Sequence, residues 1–204
     1  RDFEKIKRFS SLPDSVIEQY EDHYRAPENL NKWQRKLLDL HTTVLEQLLL
    51  ALRVPHDAVN RYVHEFSQIY ESESKLFSLF LQPPDPEDYH LVHTFNTTLL
   101  SLMVGEEVGL PEKAQETLLL AGSLADVGLV VIPDSFYLID DELSRRARNE
   151  VRKHPVYSRK ISSHIFGPQH SVPRLVAEHH ERSDGGGYPH GKTQEDLSPL
   201  SGIL

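Results

Sequence analysis

The sequence contains no cysteine among its 204 residues. Disulfide bonds, thiolate metal sites and thiol nucleophiles are therefore excluded. Any bound metal must use histidine, aspartate or glutamate, and twelve histidines are a generous supply for that purpose. The absence of cysteine is also compatible with a reducing compartment, and we expect a cytoplasmic location.

Basic residues are in deficit, with 22 Lys and Arg against 31 Asp and Glu and a net charge of −9. This balance argues against binding to a nucleic-acid polymer, which requires a basic face. One small anionic ligand in a local pocket remains compatible with it. No apolar run approaches the ~18 residues of a membrane span, so we expect none in this chain.

Both ends of the sequence bear on its extent. The start, "RDFEKIKRFSSLPD", has no apolar core of the kind found in a signal peptide. The chain begins without methionine and stops at the apolar "SGIL". A fragment that lacks an upstream domain is therefore an open possibility.

Helical periodicity runs through most of the chain, and no strict alternation suggests a sheet. Amphipathic helices are predicted in "LNKWQRKLLDLHTTVLEQLLLAL" and in "HDAVNRYVHEFSQIYESESKLFSLFL". The proline-rich "QPPDPEDY" at 82–89 predicts a boundary between an N-terminal helical region, 1–81, and a C-terminal domain, 82–204. The fold class expected is all-α.

Several shorter elements are predicted in the C-terminal part. The helix in "PEDYHLVHTFNTTLLSLMVGEEVGL" is expected to bury a stripe that includes Leu99, Leu100 and Met103. Pro111 opens the next helix, and "VVIPD" reads as extended. Asp140 or Asp141 is expected to cap a helix into "VRKHP", and Pro173 to open "PRLVAEHHER".

Polar residues lie on the apolar faces or at the ends of these helices. A lone histidine in such a place is most often a packing residue, but here four separate segments deliver one or more potential ligands. A buried carboxylate costs several kcal/mol unless it is paired or bound to a cation. The candidate metal ligands are His93, Asp126, His154, His179 and His180. Histidines around an aspartate suit Zn, Mn or Fe better than Ca or Mg.

One long motif points to a family. The stretch "HHERSDGGGYP" at 179–189 has the form HHExxDGxGYP and resembles the signature of HD-GYP domains, which are cyclic-di-GMP phosphodiesterases. The segments "DYHLVHTFNTT", "LADVGLVVIPD" and "VRKHPVYSRKI" resemble the other family motifs in the same order. The resemblance covers about 82–204 and implies an HD-superfamily helical bundle with a metal centre of two or three ions.

The resemblance also implies roles for individual residues. Asp126 would bridge the metals and take part in catalysis, with His154, His179 and His180 on one ion and His93 on the other. Iron or manganese is implied ahead of zinc. The implied partners are cyclic-di-GMP and GGDEF-domain proteins docking on the glycine loop. A homodimer is suggested separately, by analogy with signalling proteins that dimerise through a long N-terminal helical pair. The residues implied to face the dinucleotide are Arg182, Asp184, Gly185, Gly187, Tyr188 and Pro189.

The sequence departs from the family pattern at three positions. Ala125 stands where the family has the histidine of its His-Asp pair, and a methyl group cannot bind a metal. Leu129 replaces a lysine near the phosphate, and Tyr89 replaces a glutamate of three-metal members. The family also draws a last aspartate from a helix beyond residue 204. We therefore expect one occupied metal site rather than two or three.

Three functional hypotheses remain open. The first is a degenerate HD-GYP domain that acts in cyclic-di-GMP signalling as a metal-containing receptor or interaction module with little or no hydrolysis. The second is an active or slow cyclic-di-GMP phosphodiesterase that uses an incomplete metal centre. The third is a purely structural helical module without metal.

Overall fold

The computed structural model describes residues 56–73, 89–133 and 144–204. The helix predicted from residue 30 and the boundary near residue 82 lie outside these ranges and stay predictions. Within the described residues every regular element is helical, apart from a single isolated bridge between Asp184 and Thr193. The all-α prediction is therefore confirmed.

Six α-helices and two 3-10 helices make up the described part. The α-helices are α1 (His56–Glu73), α2 (Tyr89–Glu107), α3 (Glu112–Leu124), α4 (Arg145–Val151), α5 (His154–Phe166) and α6 (Ser171–Glu178). The first 3-10 helix, Val127–Val131, follows α3, and the second, Pro199–Gly202, lies near the end of the chain. Helix α3 packs against α2 and α6, and α5 packs against α6 and the first 3-10 helix.

An aromatic cluster joins α1 to the core. The rings of Tyr62 and Phe66 meet edge to face at 5.7 Å, and Phe66 lies 6.1 Å from Phe95 of α2. The Tyr62 hydroxyl is buried and lies 2.7 Å from the Ser123 hydroxyl of α3, so its polar tip is satisfied. Tyr62 and Phe66 are therefore core residues.

The buried face of α2 differs from the predicted one. Leu99 is buried as expected, whereas Leu100 and Met103 are 41% and 38% exposed. The close contact between α2 and α3 is made by small residues, because a Cβ at Gly122 would lie only 2.9 Å from the Thr98 Cα. Thr98 therefore faces α3 at this contact, and the large side chains of Leu100 and Met103 are partly exposed to solvent.

The segment after α3 begins as a helix where an extended conformation was expected. Val130 and Val131 belong to the first 3-10 helix, and Ile132 after them has an extended backbone. The Gly128 amide donates to the Ser158 hydroxyl at 2.7 Å, and a Cβ on Gly128 would overlap the carbonyl of His154. This close approach fixes the segment after Asp126 against α5.

Two helix starts also differ from prediction. Helix α4 is capped by Ser144, whose hydroxyl accepts a hydrogen bond from the Ala147 amide at 3.1 Å. The acids predicted as its cap lie further upstream, outside the described residues. Helix α6 begins at Ser171 after the cap His170, so Pro173 sits within its first turn rather than at its start.

One stretch of the described residues is apolar and long enough to resemble a membrane span. It runs over Glu112–Val131 with a mean hydropathy of 1.3, and 78% of it is buried within the fold. It therefore serves as the core segment that carries Asp126, at the junction of α3 and the first 3-10 helix.

Candidate metal centre

Asp126 lies at the centre of a group of histidines. It follows the end of α3, and only 7% of its surface is exposed. Its Oδ1 atom lies 3.1 Å from Nε2 of His154 and 3.7 Å from Nε2 of His179. Three elements therefore meet here: the junction after α3, the first residue of α5 and the end of α6.

Backbone carbonyls fix which nitrogen faces the centre in two of the rings. His154 Nδ1 lies 2.8 Å from the Val151 carbonyl, and His179 Nδ1 lies 2.7 Å from the Val176 carbonyl. A carbonyl can only accept a hydrogen bond, so each Nδ1 carries a hydrogen. When each ring is neutral, its Nε2 therefore points a lone pair inward, as in metal-binding histidines.

The Nε2 atoms of His154 and His179 and the Asp126 carboxylate are too close together to be stable without a proton or a cation among them. The two Nε2 atoms of His154 and His179 lie 3.0 Å apart, and both face the Asp126 carboxylate. Lone pairs converging in this way need either a proton on one ring or a cation between them. A cation bound by neutral imidazoles and a carboxylate satisfies all three donors together.

His180 completes the cluster. Burial, followed by the nearby His179 and His154 rings, lowers the pKa of His180 to about 3, so this ring is neutral near pH 7. One potential ligand atom from each of Asp126, His154, His179 and His180 can be chosen so that all four lie within 4.8 Å of one another. The four donors are of the kinds that bind a transition metal.

The Asp126 carboxylate is held in its charged form. Burial by itself raises the pKa of Asp126, but hydrogen bonds from His154 and His179, which each require a proton on Nε2 in place of a metal ion, outweigh burial and place that pKa well below its usual range. An ionised carboxylate is what a bridging metal ligand requires. The donor set therefore fits a divalent transition-metal ion.

His93 stands on the other side of the same carboxylate. Its Nε2 lies 3.5 Å from Asp126 Oδ2, whereas His154 and His179 face Oδ1. The His93 side chain is 44% exposed. Ala125, which stands where the family has the histidine of its His-Asp pair, is buried and carries no donor atom. Among the described residues, His93 and Asp126 Oδ2 are therefore the candidates for binding a second ion.

The glycine loop is shaped by its own backbone contacts. A Cβ on Gly187 would overlap the Arg182 amide and the Glu181 backbone, so only glycine fits. Gly185 has a positive φ of 76°, a conformation that favours glycine. The Glu181 carboxylate accepts from the amides of His190 at 2.7 Å and Lys192 at 2.9 Å, which closes the loop.

The loop brings one predicted dinucleotide-facing residue to the metal cluster. The Tyr188 ring, preceding the cis Pro189, stacks on the His180 ring at 4.6 Å with an angle of 20°. Burial, with a smaller contribution from Asp126, raises the pKa of Tyr188 to about 12, so its phenol stays protonated.

Arg182 and Asp184 are engaged with each other. The Arg182 Nη2 atom lies 2.8 Å from Asp184 Oδ2, and Asp184 Oδ1 also accepts from the Gly186 amide at 2.8 Å. Both side chains are exposed. Contact of Arg182, Asp184, Gly185, Gly187 and Pro189 with a dinucleotide stays a prediction.

A buried carboxylate beside the cluster escaped the sequence reasoning. Glu178 directly precedes His179 and is 2% exposed. It accepts hydrogen bonds from Arg174 Nε (2.9 Å), Lys192 Nζ (2.7 Å), the Ser198 amide (2.9 Å) and the Ser201 hydroxyl (2.5 Å). Burial raises the pKa of Glu178, but these donors outweigh burial and lower the pKa to about 2. No spacing in the sequence indicates partners 14 to 23 residues away.

Arg152 is the second residue that the sequence reasoning missed. Its guanidinium carbon lies 4.5 Å from the centre of the Tyr188 ring. The preceding helix α4 ends at Val151, and Arg152 is its C-cap. An arginine within the charged stretch "RRARNEVRK" carries no sequence signal that distinguishes it from its neighbours.

Comparisons with known proteins agree with this geometry. A family model described as the HD domain matches residues 81–204. The cyclic di-GMP phosphodiesterase PdeB of Borreliella burgdorferi is 30% identical over 125 residues, which are 61% of this chain and 33% of that protein. The cyclic di-GMP phosphodiesterase response regulator RpfG of Xanthomonas campestris pv. campestris is 35% identical over 96 residues, which are 47% of this chain and 25% of that protein.

A third relative is similar over more of the chain. A cyclic di-GMP phosphodiesterase of Thermotoga maritima is 27% identical over 185 residues, covering 76% of this chain and 49% of that protein. The matched parts are thus less than half of each of the three relatives. The HD domain match covers more than half of this sequence, and these three relatives share the cyclic di-GMP phosphodiesterase name. The chain therefore belongs to the HD domain family.

Proposed function

We propose that this domain holds one divalent metal ion at Asp126, His154, His179 and His180 and binds cyclic di-GMP as a receptor, with little or no hydrolysis. The names of the relatives supply the ligand class. The grouping of the four donors within 4.8 Å supplies the metal site. Iron or manganese is the ion proposed, ahead of zinc.

The observation that carries this proposal is the asymmetry around Asp126. The contacts of His154 and His179 with the carboxylate are made to Oδ1, whereas the contact of His93 is made to Oδ2. Two metal ions act together in phosphoryl chemistry by holding both the attacking and the leaving oxygen. The Asp126 carboxylate has several potential metal ligands beside Oδ1 and fewer beside Oδ2. This asymmetry favours one bound ion and slow or absent hydrolysis.

Two buried apolar residues support the same conclusion. Ala125 precedes Asp126 and is buried, so no ligand comes from that position. Leu129 is buried in the first 3-10 helix, where the resemblance implies a lysine close to the phosphate. At about 4 Å and an effective dielectric near 20, losing such a contact forfeits at most about 4 kcal/mol before desolvation is subtracted.

Slow hydrolysis is the second candidate function. The four-donor cluster favours it, because a bound metal ion lowers the pKa of coordinated water and so makes hydroxide available near neutral pH. A structural module without metal is less well supported. It would leave the inward lone pairs of His154 and His179, 3.0 Å apart, to be relieved by a buried proton alone.

The experiment that tests the proposal combines calorimetry with a hydrolysis assay on the manganese-loaded protein. We expect saturable binding of cyclic di-GMP and no detectable linear product. Absence of binding at high micromolar ligand would remove the receptor function. Ready turnover would replace it with the phosphodiesterase function.

The wider partners belong to the proposal as well. The exposed Arg182 and Asp184 side chains of the glycine loop are available for docking, which supports GGDEF-domain proteins as partners. A homodimer and a cytoplasmic location stay predictions. Pull-down with a GGDEF domain, compared between the native chain and an Asp184→Arg variant, tests the loop as the docking surface.

A further inference from the structure

We propose that Arg152 recognises the ligand, binding a phosphate of the dinucleotide at the open side of the metal cluster. The inference deepens the proposed function and rests on it, because it names a residue of this chain that takes over anion recognition from the position of Leu129.

Arg152 is placed by the chain that also places a metal ligand. It is the C-cap of α4, its amide donates to the Arg148 carbonyl at 3.0 Å, and it precedes His154 by two residues. Its backbone is therefore held by the end of a helix. The Arg152 side chain is exposed, whereas that of His154 is buried. Between these two residues the chain passes from the surface to the buried metal cluster.

Tyr188 connects the guanidinium to the metal cluster. The guanidinium carbon of Arg152 lies 4.5 Å from the Tyr188 ring centre, and the same ring stacks on His180 at 4.6 Å. The Tyr188 amide donates to the His180 carbonyl at 3.1 Å, which fixes the position of the tyrosine. A phosphate held by an ion at the cluster would therefore have a cation one aromatic ring away.

The contact of Arg152 with the Tyr188 ring engages no hydrogen-bond acceptor. The guanidinium carries five N–H donors in a planar fork. Such a fork matches the oxygens of a phosphate in a bidentate contact. The cation–π contact also restricts the side chain before the ligand arrives, which lowers the entropic cost of binding.

Among the acids that the structure describes, none is paired with Arg152. The nearest acid in sequence, Glu150, is bound by Lys153 Nζ at 2.7 and 2.8 Å. Throughout residues 56–73, 89–133 and 144–204, no carboxylate oxygen lies within 4.0 Å of the Arg152 guanidinium. Two other basic residues nearby are already paired, Arg182 with Asp184 and Lys192 with Glu178.

Local charge makes this cation important. The chain has a net charge of −9, which opposes the approach of a doubly charged dinucleotide. Leu129 contributes no charge at the position where the resemblance implies a lysine. Arg152 therefore supplies positive charge where the metal cluster opens to solvent.

The test is calorimetric titration of the manganese-loaded chain with cyclic di-GMP, comparing Arg152→Gln with Arg159→Gln. Both variants remove one exposed positive charge, but Arg159 lies on α5 in a separate groove with Lys160 and His164. We expect Arg152→Gln to weaken binding about tenfold or more and to reduce its salt dependence. Arg159→Gln should stay within about twofold, and metal content should be unchanged in both.

Conservative variants separate recognition from general charge. Arg152→Lys should recover part of the affinity, because it keeps the charge but loses the planar fork. Equal affinity in Arg152→Gln and the native chain would overturn the inference, and so would equal losses in the two glutamine variants. If the native chain itself binds no cyclic di-GMP, the proposed function fails and the inference fails with it, whereas an unaffected Arg152→Gln leaves the proposed function standing.

Discussion

The Nε2 atoms of His154 and His179 lie 3.0 Å apart, and both rings are anchored through Nδ1 to backbone carbonyls of their own helices. Turning either Nδ1 hydrogen inward would break its hydrogen bond to a backbone carbonyl. In the neutral form of each ring, the Nε2 lone pair therefore faces the Asp126 carboxylate, an arrangement that a divalent cation stabilises. This pair is the physical basis of the proposed metal site.

Replacing His154 by alanine is expected to abolish metal binding. The change removes one of four donors. Losing a residue that only hydrogen-bonds to a metal ligand typically lowers metal affinity by about 10–100-fold, so losing a ligand itself should lower it further. Thermal unfolding with and without manganese measures the effect. At a manganese concentration of about 100 Kd, the native chain gains about 2.7 kcal/mol in free energy of unfolding.

The matched control for that change is His164→Ala. His164 also lies on α5 but is exposed and away from Asp126. The control should keep the full stabilisation by manganese. A similar manganese response in His154→Ala and the native chain would show that this histidine is not a ligand.

Restoring the two family residues is expected to produce phosphodiesterase activity. The double variant Ala125→His with Leu129→Lys supplies a nitrogen donor on the side of Asp126 that His93 faces, together with a cation for the phosphate. Both positions are buried, so overpacking is expected to cost about 1–3 kcal/mol in stability. The measurement is cyclic di-GMP hydrolysis with manganese, after circular dichroism has shown that the variant is folded.

The outcome of that variant is informative in both directions. A folded double variant with a second bound ion and measurable turnover would support the two losses as the cause of inactivity. A folded variant that binds two ions and still does not turn over would place the cause elsewhere in the chain.

Glu178→Gln is expected to destabilise the fold by about 2–4 kcal/mol, because it leaves Arg174 and Lys192 without their buried carboxylate. Urea unfolding measures the change. Glu150→Gln is the control, since Glu150 pairs with Lys153 at the surface and its loss should cost under about 1 kcal/mol. Equal effects of the two substitutions would contradict a structural role for the buried pair.

Gly128→Ala is expected to cost about 2 kcal/mol or more, since its Cβ would overlap the His154 carbonyl and push the first 3-10 helix away from α5. Gly202→Ala is the control, because nothing lies within 4 Å of a Cβ at that position. The free energy of unfolding and the manganese affinity should fall together in Gly128→Ala and stay near native values in Gly202→Ala. A stable Gly128→Ala variant with full manganese affinity would contradict the account of how Asp126 is positioned.

The sequence predicted the helical class and the residues that cluster around Asp126 better than it predicted helix faces and ends. The motif around His179 and His180 is long and specific, so the cluster with Asp126 and His154 could be anticipated from it. The assignment of these residues as ligands remains a proposal. The exposed positions of Leu100 and Met103 could not be anticipated, because the apolar residues of α2 are spread around more than one face.

Long-range polar contacts explain the rest of what the sequence did not show. Glu178 reads as an ordinary helical acid until the fold places Lys192 and Ser201 beside it. Arg152 is one base in a charged run until the glycine loop places Tyr188 over it. Both relationships depend on how the segment 181–201 folds back, which no local pattern specifies.

Elemental analysis of the purified, manganese-loaded chain tests the central claim most directly. The account predicts one divalent ion per chain in the native protein and none in an Asp126→Asn variant with its fold intact. Two or more ions per chain would contradict the single site, and a native chain that retains no ion after loading would contradict the metal centre itself.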